Sequence, residues 1–274
     1  MFRAEMLKLT TTRATKAAVA VGVAGLIATQ VTLVTVLPAL ASGAIGPGRE
    51  ALGDDLPAFD LTTGAAQLAA VSPLGSSTGA GSIGIAVLAV LILGVLAGTT
   101  DYRFGGIVPT ALAQPRRGRI LTAKVLATAL AGLVVGVTYA AVSLGTLLVS
   151  LLLARTELAA SPLELAGVLG GGALAVALFA LLGLAIGILA RSQLAGVLVM
   201  LGILLFELIA QAIIQLVTGT LPAWAQLMPL SLGQAAVSSG ATGGIPPVTA
   251  VAALAALVAV VVAAAGVALR SRDI

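Results

Sequence analysis

Three polar residues, Glu207, Gln211 and Gln215, recur at four-residue spacing in a stretch that is otherwise apolar. This spacing places them on one face of a helix. A carboxylate at the centre of a bilayer costs about 2.5 to 3.5 kcal/mol on insertion scales, so Glu207 should face protein or water and not lipid. The stripe could therefore line a substrate path or a dimer seam, or it could form an interhelical hydrogen-bond cluster that only holds helices together.

A second polar group lies between positions 101 and 124. An Asp-Tyr-Arg-x-Gly sequence is followed there by Pro-Arg-Arg-x-Arg and then by a lysine. Lys and Arg retain a loop on the cytoplasmic side of a membrane, and that alone would be a sufficient reason for the cations. It does not explain the order of the other residues or their spacing, which indicates a further role for this segment.

Residue types that catalyse reactions or bind metals are largely missing. The chain has no Cys and no His, which removes thiol nucleophiles, imidazole bases and nearly every transition-metal site. A P-loop places its lysine after glycine, whereas the lysines here follow Leu7, Thr15 and Ala123. We therefore predict no catalytic residue, no metal site and no cofactor in this chain. The basic residues are not interleaved with aromatics, so we expect no nucleic-acid binding.

The elements that carry these residues are predicted to be membrane-spanning helices. Hydrophobic residues make up 59% of the chain and charged residues 9%, against about 25% charged in a soluble domain. Each bilayer crossing needs about 20 apolar residues. Six apolar runs, without a charge except for Glu207 in the fifth, approach or exceed this length. They predict a single all-α transmembrane domain with spans at about 17–41, 83–100, 125–154, 165–190, 194–217 and 248–269.

The distribution of cations predicts that both chain ends are cytoplasmic. With the N-terminus inside, twelve of the fourteen Lys and Arg residues fall on the inner side, and only Arg49 and Arg155 fall outside. The first run could instead be a cleaved signal peptide, because it follows basic residues and ends in an Ala-x-Ala pattern near Ala41. It is about 25 residues long, however, whereas a signal core has about 7 to 15, so we interpret it as a retained span.

Two further segments have a distinctive composition. Residues 1–16 place Phe2, Met6 and Leu9 on one face, which is compatible either with a short amphipathic helix at the membrane interface or with a basic flank that only sets topology. Residues 218–247 carry no charge but are broken by proline and glycine. Irregular backbone at membrane depth must pack against protein, so this pattern favours an outer re-entrant helical hairpin. Pro222, Trp224 and Pro229 would form an outer gate there.

The segment from Asp101 to Lys124 resembles the cytoplasmic stretch of type-2 ABC transporter permeases. In that family an acidic residue, Tyr, Arg and a Gly-Thr-Ile-like turn precede a short helix, then proline, basic residues and a lysine that opens the third span. Gly106 stands where the family usually has Thr. The N-terminal residues Glu5, Leu7, Lys8, Leu9, Thr11, Thr12 and Arg13 look like the start of actinobacterial members, and span number and loop order agree along the whole chain.

The resemblance implies a permease subunit in a bacterial cell membrane that exports a drug, lipid, peptide or other small amphipathic molecule. It implies two copies of a P-loop ATPase, which bind ATP and Mg²⁺, and a second copy of this permease or a paralogue. The contacts to the ATPase would be made by a coupling helix, and the residues that match the motif are Asp101, Tyr102, Arg103, Gly105, Pro115, Arg116, Arg117, Arg119 and Lys124.

An alternative is a membrane protein outside this family, either a proton-linked carrier that uses Glu207 or a scaffold. Carriers often consist of two related halves with paired ionisable residues across spans. No convincing internal repeat and no such pairs occur in the sequence. We therefore favour the ATP-driven exporter.

Overall fold

A computed structural model describes residues 1–41, 43, 45, 61–75, 84–103, 105, 117–238 and 244–271. Across these ranges the backbone is helical or in turns and bends, without a strand, as predicted for an all-α protein. Among the described residues, six helices are long and apolar enough to cross a membrane, which confirms that part of the prediction. They are α2 (Arg13–Leu40), α4 (Ile85–Arg103), α5 (Arg117–Ala154), α6 (Pro162–Ala190), α7 (Gln193–Thr218) and α10 (Pro247–Ser271).

Four shorter helices complete the described part of the chain. They are α1 (Phe2–Thr11), α3 (Gly64–Ala70), α8 (Ala223–Gln226) and α9 (Pro229–Ala236). Helix α1 packs mainly on α5, and α9 packs on α10 and α6. Helices α1, α3 and α9 therefore rest against the long helices, and α8 contacts α9. All four lie at the chain segments where the sequence departs from a continuous apolar run.

The centre of the bundle is formed by α4 and α6. Their most apolar windows are 72% and 67% buried, whereas those of the other four long helices are 22% to 33% buried. Helix α6 packs against α4, α5, α7 and α10, so it is the hub of the fold. The outer faces of α2, α5, α7 and α10 remain rich in exposed Leu, Ile and Val, as expected of surfaces that meet lipid or another apolar partner.

Glycine pairs bring the two central helices together. A Cβ added at Gly98 of α4 would lie 2.6 Å from the carbonyl oxygen of Leu184, and one added at Gly187 of α6 would lie 2.8 Å from that of Val95. These distances are too short for any residue with a side chain. The Gly-xxx-Gly pairs on α4 and α6 therefore permit a close backbone crossing, which is how small residues usually drive helix association in membranes.

The region after α2 is attached to the bundle by two buried glutamines. Gln67 of α3 donates from Nε2 to the carbonyl oxygens of Leu61 (2.8 Å) and Glu157 (2.9 Å). Its Oε1 accepts from the backbone N–H groups of Ala159 and Ala160 at 2.8 and 3.0 Å. Three of these hydrogen bonds join α3 to the turn between α5 and α6, and the fourth joins it to Leu61 before α3; together they satisfy every polar atom of the Gln67 amide.

The second glutamine, Gln30 of α2, is fully buried. Its Nε2 lies 2.8 Å from Ser143 Oγ of α5 and within 3.3 Å of the carbonyl oxygens of Ala70 and Ser72. Gln30 therefore joins α2 to both α5 and the residues that follow α3. Two residues further on, the chain forms a π-helical turn at Thr32–Val36, and the proline at position 38, just beyond this turn, lacks a backbone donor.

Candidate functional site at the ends of α4 and α5

Four charged side chains form a closed ring where α4 ends and α5 begins. Asp101 of α4 accepts from Lys8 (2.8 Å, Oδ1) and from Lys124 (2.7 Å, Oδ2). Glu5 of α1 contacts the same two lysines, at 2.8 and 3.0 Å. Each carboxylate bridges both ammonium groups and each ammonium group bridges both carboxylates. We refer to Glu5, Lys8, Asp101 and Lys124 as the ion quartet.

The quartet is largely removed from solvent. The side chains of Asp101 and Lys124 are 6% and 8% exposed, that of Glu5 is 12% exposed, and only Lys8 reaches the surface, at 36%. Isolated charges at such sites are strongly unfavourable, but the two positive and two negative groups neutralise one another. Lys124 also donates to the carbonyl oxygen of Ala97, at 3.4 Å. The ring is therefore electrically balanced and hydrogen-bonded on several sides.

Helix periodicity explains how α1 contributes two members to the ring. Glu5 and Lys8 are three residues apart and lie on the same face, beside Leu9, which is buried against α5 and α6. Burial by itself would lower the pKa of Lys8. The hydrogen bonds to Asp101 and Glu5 and the charges of these carboxylates outweigh burial, so the pKa of Lys8 lies above its ordinary value of 10.5.

The quartet has no room for a ligand. The cavity next to it, lined by members of the ring together with Thr15, Ala97 and Thr128, measures about 10 Å³. That volume is close to the smallest that can hold one water molecule. The ring therefore acts as a joint between α1, α4 and α5 and not as a binding pocket.

The two residues after Asp101 link α4 to another pair of helices. The guanidinium group of Arg191, in the turn between α6 and α7, lies 6.0 Å from the centre of the Tyr102 ring, within the range of a cation–π contact. Arg103 Nη1 donates to Gln193 Oε1 of α7 at 2.6 Å. Arg191 adopts a left-handed conformation, with φ of 55°, and ends α6. Three consecutive residues of α4 thus contact three different parts of the bundle.

The other residues assigned to this segment are described only in part. Gly105 has φ of 66°, a left-handed conformation that suits glycine in a turn. Arg119, in the first turns of α5, is exposed. Arg117 is the first residue of α5, while Pro115 and Arg116, like Gly106, lie outside the described residues. Asp101 and Lys124 are thus joined to each other and to α1, whereas the exposed side chains at this end include Arg103 and Arg119.

Glu207 lies in a separate polar cluster between α7 and α9. Its carboxylate accepts from the backbone N–H groups of Leu230 (3.0 Å) and Ser231 (2.9 Å) and from Gln211 Nε2 (2.9 Å). Gln211 also donates to Ser231 Oγ at 2.7 Å. Glu207 is 1% exposed and Gln211 is 5% exposed. The carboxylate is therefore held by helix α9 and by the residue one turn further along α7.

The geometry at Glu207 is that of a helix cap supplied from another helix. Met228 precedes α9 and offers no side-chain cap, and Pro229 is the first helical residue. Leu230 and Ser231 are the second and third residues, and their N–H groups would normally donate to the side-chain oxygen of a serine or aspartate N-cap. Glu207 replaces that missing acceptor, because its two oxygens accept from the N–H groups of Leu230 and Ser231.

Of the remaining residues of the predicted stripe and gate, Pro229 adjoins this cluster and the others lie elsewhere. Gln215, two turns beyond Glu207, is exposed on α7 and is not part of the cluster. Pro222 precedes α8, and Trp224 within α8 is 58% exposed. Pro229 begins α9. The structure therefore brings Glu207 and Gln211 together with α9, and it leaves Gln215 and Trp224 on the surface.

Sequence reasoning assigned no structural role to several residues that the structure joins to these sites. Glu5 and Lys8 belong to the N-terminal resemblance, and their three-residue spacing is the one sign in the sequence that they share a helix face. Gln67 and Gln30 gave no sign beyond being polar residues next to apolar ones. Leu230 and Ser231 contribute backbone N–H groups, which any residue except proline carries.

No protein-family model, curated protein or solved structure matches the chain. In the described residues there is also no group of three or more His, Cys, Asp or Glu side chains that could hold a metal ion.

Proposed function

We propose that the chain is the transmembrane permease subunit of an ATP-driven exporter of the type-2 ABC kind, in which a separate ATPase subunit hydrolyses ATP. One observation carries the proposal. The Asp-Tyr-Arg sequence at the end of α4 contacts α1 and α5 through Asp101, the α6–α7 turn through Tyr102, and α7 through Arg103. An exporter driven by a separate ATPase needs a segment through which movement of the ATPase is transmitted to several transmembrane helices together.

The ion quartet makes this arrangement stiff. Ion pairs of 2.7 to 3.0 Å with buried carboxylates resist separation, because pulling them apart would leave charges unpaired away from water. The segment between α4 and α5 is therefore attached at both ends to the same joint. A partner that pushes on this segment would move α4, α5 and α1 as one unit. We assign direct contact with the ATPase to the exposed Arg103 and Arg119 and an anchoring role to Asp101 and Lys124.

The rest of the proposal concerns the assembly. Two copies of this chain, or this chain and a paralogue, would associate with two ATPase subunits that bind ATP and Mg²⁺. Both chain ends would be cytoplasmic in a bacterial cell membrane, with α1 at the inner interface. Helices α8 and α9 would form the outer re-entrant hairpin, with Trp224 at the membrane surface. The exposed apolar face of α7, which includes Gln215, supports contact with a second permease or with lipid.

The first experiment is to purify the tagged chain in a mild detergent and to identify by mass spectrometry the proteins that accompany it. We expect a stoichiometric P-loop ATPase. A single oligomeric species without an ATPase, reproduced after gentle crosslinking, would contradict the proposal and favour a carrier or a scaffold.

A crosslinking experiment then locates the contact. Because the chain contains no cysteine, Arg119→Cys introduces a single thiol, and Arg155→Cys is a matched control at another exposed arginine. We expect the thiol at position 119, and not the one at position 155, to crosslink to the ATPase. Crosslinking of equal yield from both positions would contradict the assignment of this end of α5 to the partner.

A functional test removes cations of the segment that would contact the ATPase. Arg103→Ala combined with Arg117→Ala should leave membrane insertion intact and abolish substrate-stimulated ATP hydrolysis. Unchanged transport would count against coupling at this segment.

The proposed orientation is tested with Asp54→Cys and Arg117→Cys. The thiol at position 54 should react with an impermeant reagent added outside, and the thiol at position 117 should react only from inside. The reverse pattern would overturn the topology.

A further inference from the structure

Polar side chains are concentrated on one buried face of α5. The five residues of this face are separated by four, eleven, four and seven positions, and they are Lys124, Thr128, Tyr139, Ser143 and Ser150. Each spacing is close to a whole number of helical turns, so the side chains form one stripe along the helix. None of the five is more than 6% exposed. A buried polar stripe within a transmembrane helix needs partners on the helix that faces it.

Helix α2 faces the middle of this stripe. The Tyr139 hydroxyl lies directly against Gly22, where no residue with a side chain would fit. Further along both helices, Gln30 Nε2 donates to Ser143 Oγ at 2.8 Å. The polar face of α5 is therefore turned toward α2 and away from lipid.

The π-helical turn of α2 extends this contact. Over Thr32–Val36 the hydrogen bonds close after five residues and not after four, which returns Thr35 to the face of Gln30. Thr35 Oγ1 and Ser150 Oγ lie 3.0 Å apart. Single π-helical turns within helices are frequent at functional sites. We refer to the polar face between the two helices as the polar seam, and it comprises Gln30 and Thr35 of α2 and Tyr139, Ser143 and Ser150 of α5.

One end of the polar seam adjoins the ion quartet. Lys124 belongs to the quartet and begins the stripe of α5, and Thr15 and Thr128 line the cavity of about 10 Å³ beside it. That volume admits about one water molecule. The seam is therefore closed at this end by the same joint to which the segment between α4 and α5 is attached.

The other end is closed by a segment that is inserted among the helices. The Ser72 carbonyl oxygen accepts from Gln30 Nε2 at 3.3 Å and from Ser143 Oγ at 3.4 Å. Residues 70–74 are buried, although the backbone at positions 71–75 is not helical. Irregular backbone at membrane depth is tolerated where it packs on protein or lines a cavity. This segment therefore covers the seam from the side of α3.

Two polar atoms of the seam are unsatisfied. Gln30 Oε1 and the Tyr139 hydroxyl have no hydrogen-bond partner among the described residues, and both side chains are fully buried. Contacts that only held two helices together would pair these groups, because an unpaired polar atom away from water is unfavourable. Gln30 Oε1 is an acceptor, whereas the hydroxyl can donate and accept. Because the seam itself carries no charge, an uncharged hydroxyl or amide group suits both atoms.

The polar stripe of α7 is not available in the same way. Glu207 accepts from two backbone N–H groups of α9 and from Gln211, and Gln211 also donates to Ser231. These side chains already have partners in α9. The unsatisfied side-chain atoms of the described long helices lie instead between α2 and α5.

We propose that the transported molecule passes along the polar seam, and that Gln30 and Tyr139 bind an uncharged hydroxyl or amide group of that molecule. The proposal rests on the export function proposed above and names its path. Movement of the ion quartet would shift α5 relative to α2, and withdrawal of residues 71–75 would open the other end. The path then lies within one permease and not between two.

Single thiols can probe the seam, because the chain has no cysteine. Ser143→Cys and Ser150→Cys are the reporters, and Ala185→Cys, in the buried core of α6, is the control. The probes are 2-hydroxyethyl and propyl methanethiosulfonate, which are similar in size and differ by a hydroxyl in place of a methyl group. Mass spectrometry of the intact full chain in detergent gives each rate, divided by the rate at the exposed Arg155→Cys.

We expect the hydroxyethyl reagent to modify both reporters at least about tenfold faster than Ala185→Cys, because the seam opens and the α6 core does not. At Ser143→Cys we also expect this reagent to be favoured over the propyl reagent about threefold or more, as one hydrogen bond allows. Equal rates at the reporters and at Ala185→Cys, or a preference for the propyl reagent, would overturn the proposal.

Tyr139→Phe separates binding from a structural role. The variant removes the unsatisfied hydroxyl and keeps the ring, so the unfolding temperature should stay the same or rise. In the Ser143→Cys background it should abolish the preference for the hydroxyethyl reagent. Thr138→Val, which removes an exposed hydroxyl from the same helix, is the control and should preserve it. A lower unfolding temperature for Tyr139→Phe, or a preference that survives it, would overturn the assignment.

These measurements use this chain alone and need no ATPase. If the seam shows the preference but no ATPase accompanies the purified chain, the path stands and ATP-driven export fails. If an ATPase accompanies the chain but the reporters react no faster than Ala185→Cys, export stands and the polar seam is rejected as its path.

Discussion

Asp101 Oδ2 lies 2.7 Å from Lys124 Nζ, and this ion pair joins the end of α4 to the start of α5. Both side chains are more than nine-tenths buried, so neither charge can be compensated by water once its partner is lost. We expect Asp101→Asn to lower the free energy of unfolding by about 3 kcal/mol or more. Reversible unfolding in mixed micelles with a denaturing detergent measures this loss.

A double-mutant cycle distinguishes a true pair from two independent sites. Lys124→Gln alone should also be strongly destabilising, but Asp101→Asn combined with Lys124→Gln should cost less than the sum, because no lone charge remains between them. We expect a coupling energy of about 1 to 3 kcal/mol. Strictly additive losses would show that the ion pair is not a cooperative unit. Arg119→Gln, at an exposed position, is the control and should change stability by less than about 0.5 kcal/mol.

The pH dependence of α1 docking follows from Lys8, whose pKa is raised in the folded protein by Asp101 and Glu5. A raised pKa means that the contribution of Lys8 is fully present below about 10.5 and is lost as the pH rises through the folded pKa. We therefore expect the stability difference between the unaltered chain and Lys8→Met to be constant from about pH 6 to pH 9 and to shrink above about pH 10.5.

Unfolding in mixed micelles over this pH range measures that difference. Lys16→Met, which removes an exposed lysine at the start of α2, is the control and should show no comparable trend. A stability difference that already disappears near neutral pH would contradict the ion quartet.

The cap formed by Glu207 can be tested by removing its acceptor and by restoring an acceptor at the ordinary N-cap position. Glu207→Gln keeps one acceptor oxygen but loses the other, so at least one N–H group at the start of α9 is left without its acceptor. We expect a loss of about 1 to 3 kcal/mol in unfolding free energy. Met228→Asp places an acceptor at the ordinary N-cap position, where φ is −70° and ψ is 152°, and should restore part of the loss in the Glu207→Gln background.

The same variants separate structure from transport. If Glu207 only holds α9, the double variant should recover both stability and substrate handling. Recovered stability with altered substrate handling would instead support contact between Glu207 and a transported molecule. Glu164→Gln, at an exposed residue near the start of α6, controls for the loss of a carboxylate. An unaltered unfolding free energy for Glu207→Gln would contradict the cap.

The close crossing of α4 and α6 predicts opposite effects for one kind of substitution. Gly98→Ala would place a methyl group 2.6 Å from the Leu184 carbonyl oxygen, so the helices must separate. We expect a loss of about 1 to 3 kcal/mol. Gly145→Ala in α5 meets nothing within 4 Å and should be neutral or stabilising by up to about 1 kcal/mol, because alanine favours helix. Equal effects at both positions would contradict the crossing.

The long helices could be predicted from sequence because the signal is local. A bilayer crossing needs a continuous apolar run, and each of the six runs can be recognised from its own residues without knowledge of distant contacts. The order of residues around Asp101 and Lys124 likewise marked both positions as special. Their pairing with α1 could not be predicted, since Lys8 and Glu5 are 93 and 119 positions away from Asp101 and Lys124. Charges alone do not specify which distant charges they meet.

Partners that are backbone groups are harder still to predict. The cost of burying a carboxylate correctly indicated that Glu207 must face something polar. In the structure its partners are the N–H groups of Leu230 and Ser231. Because every residue except proline has a backbone N–H group, the types of these two residues do not indicate this contact. The polar contacts of Gln67 have the same character, because all four of its partners are backbone atoms.

Gln67 therefore offers a test of contacts that only the structure reveals. Gln67→Leu keeps the approximate size of the side chain but leaves two N–H groups and two carbonyl oxygens without a partner. We expect a loss of about 3 kcal/mol or more, together with faster trypsin cleavage after the exposed Arg155, which precedes the turn that Gln67 holds. Gln215→Leu on the exposed face of α7 should cause neither effect. Unchanged cleavage after Arg155 in Gln67→Leu would mean that the turn keeps its conformation without the amide, and that α3 is held by its apolar contacts alone.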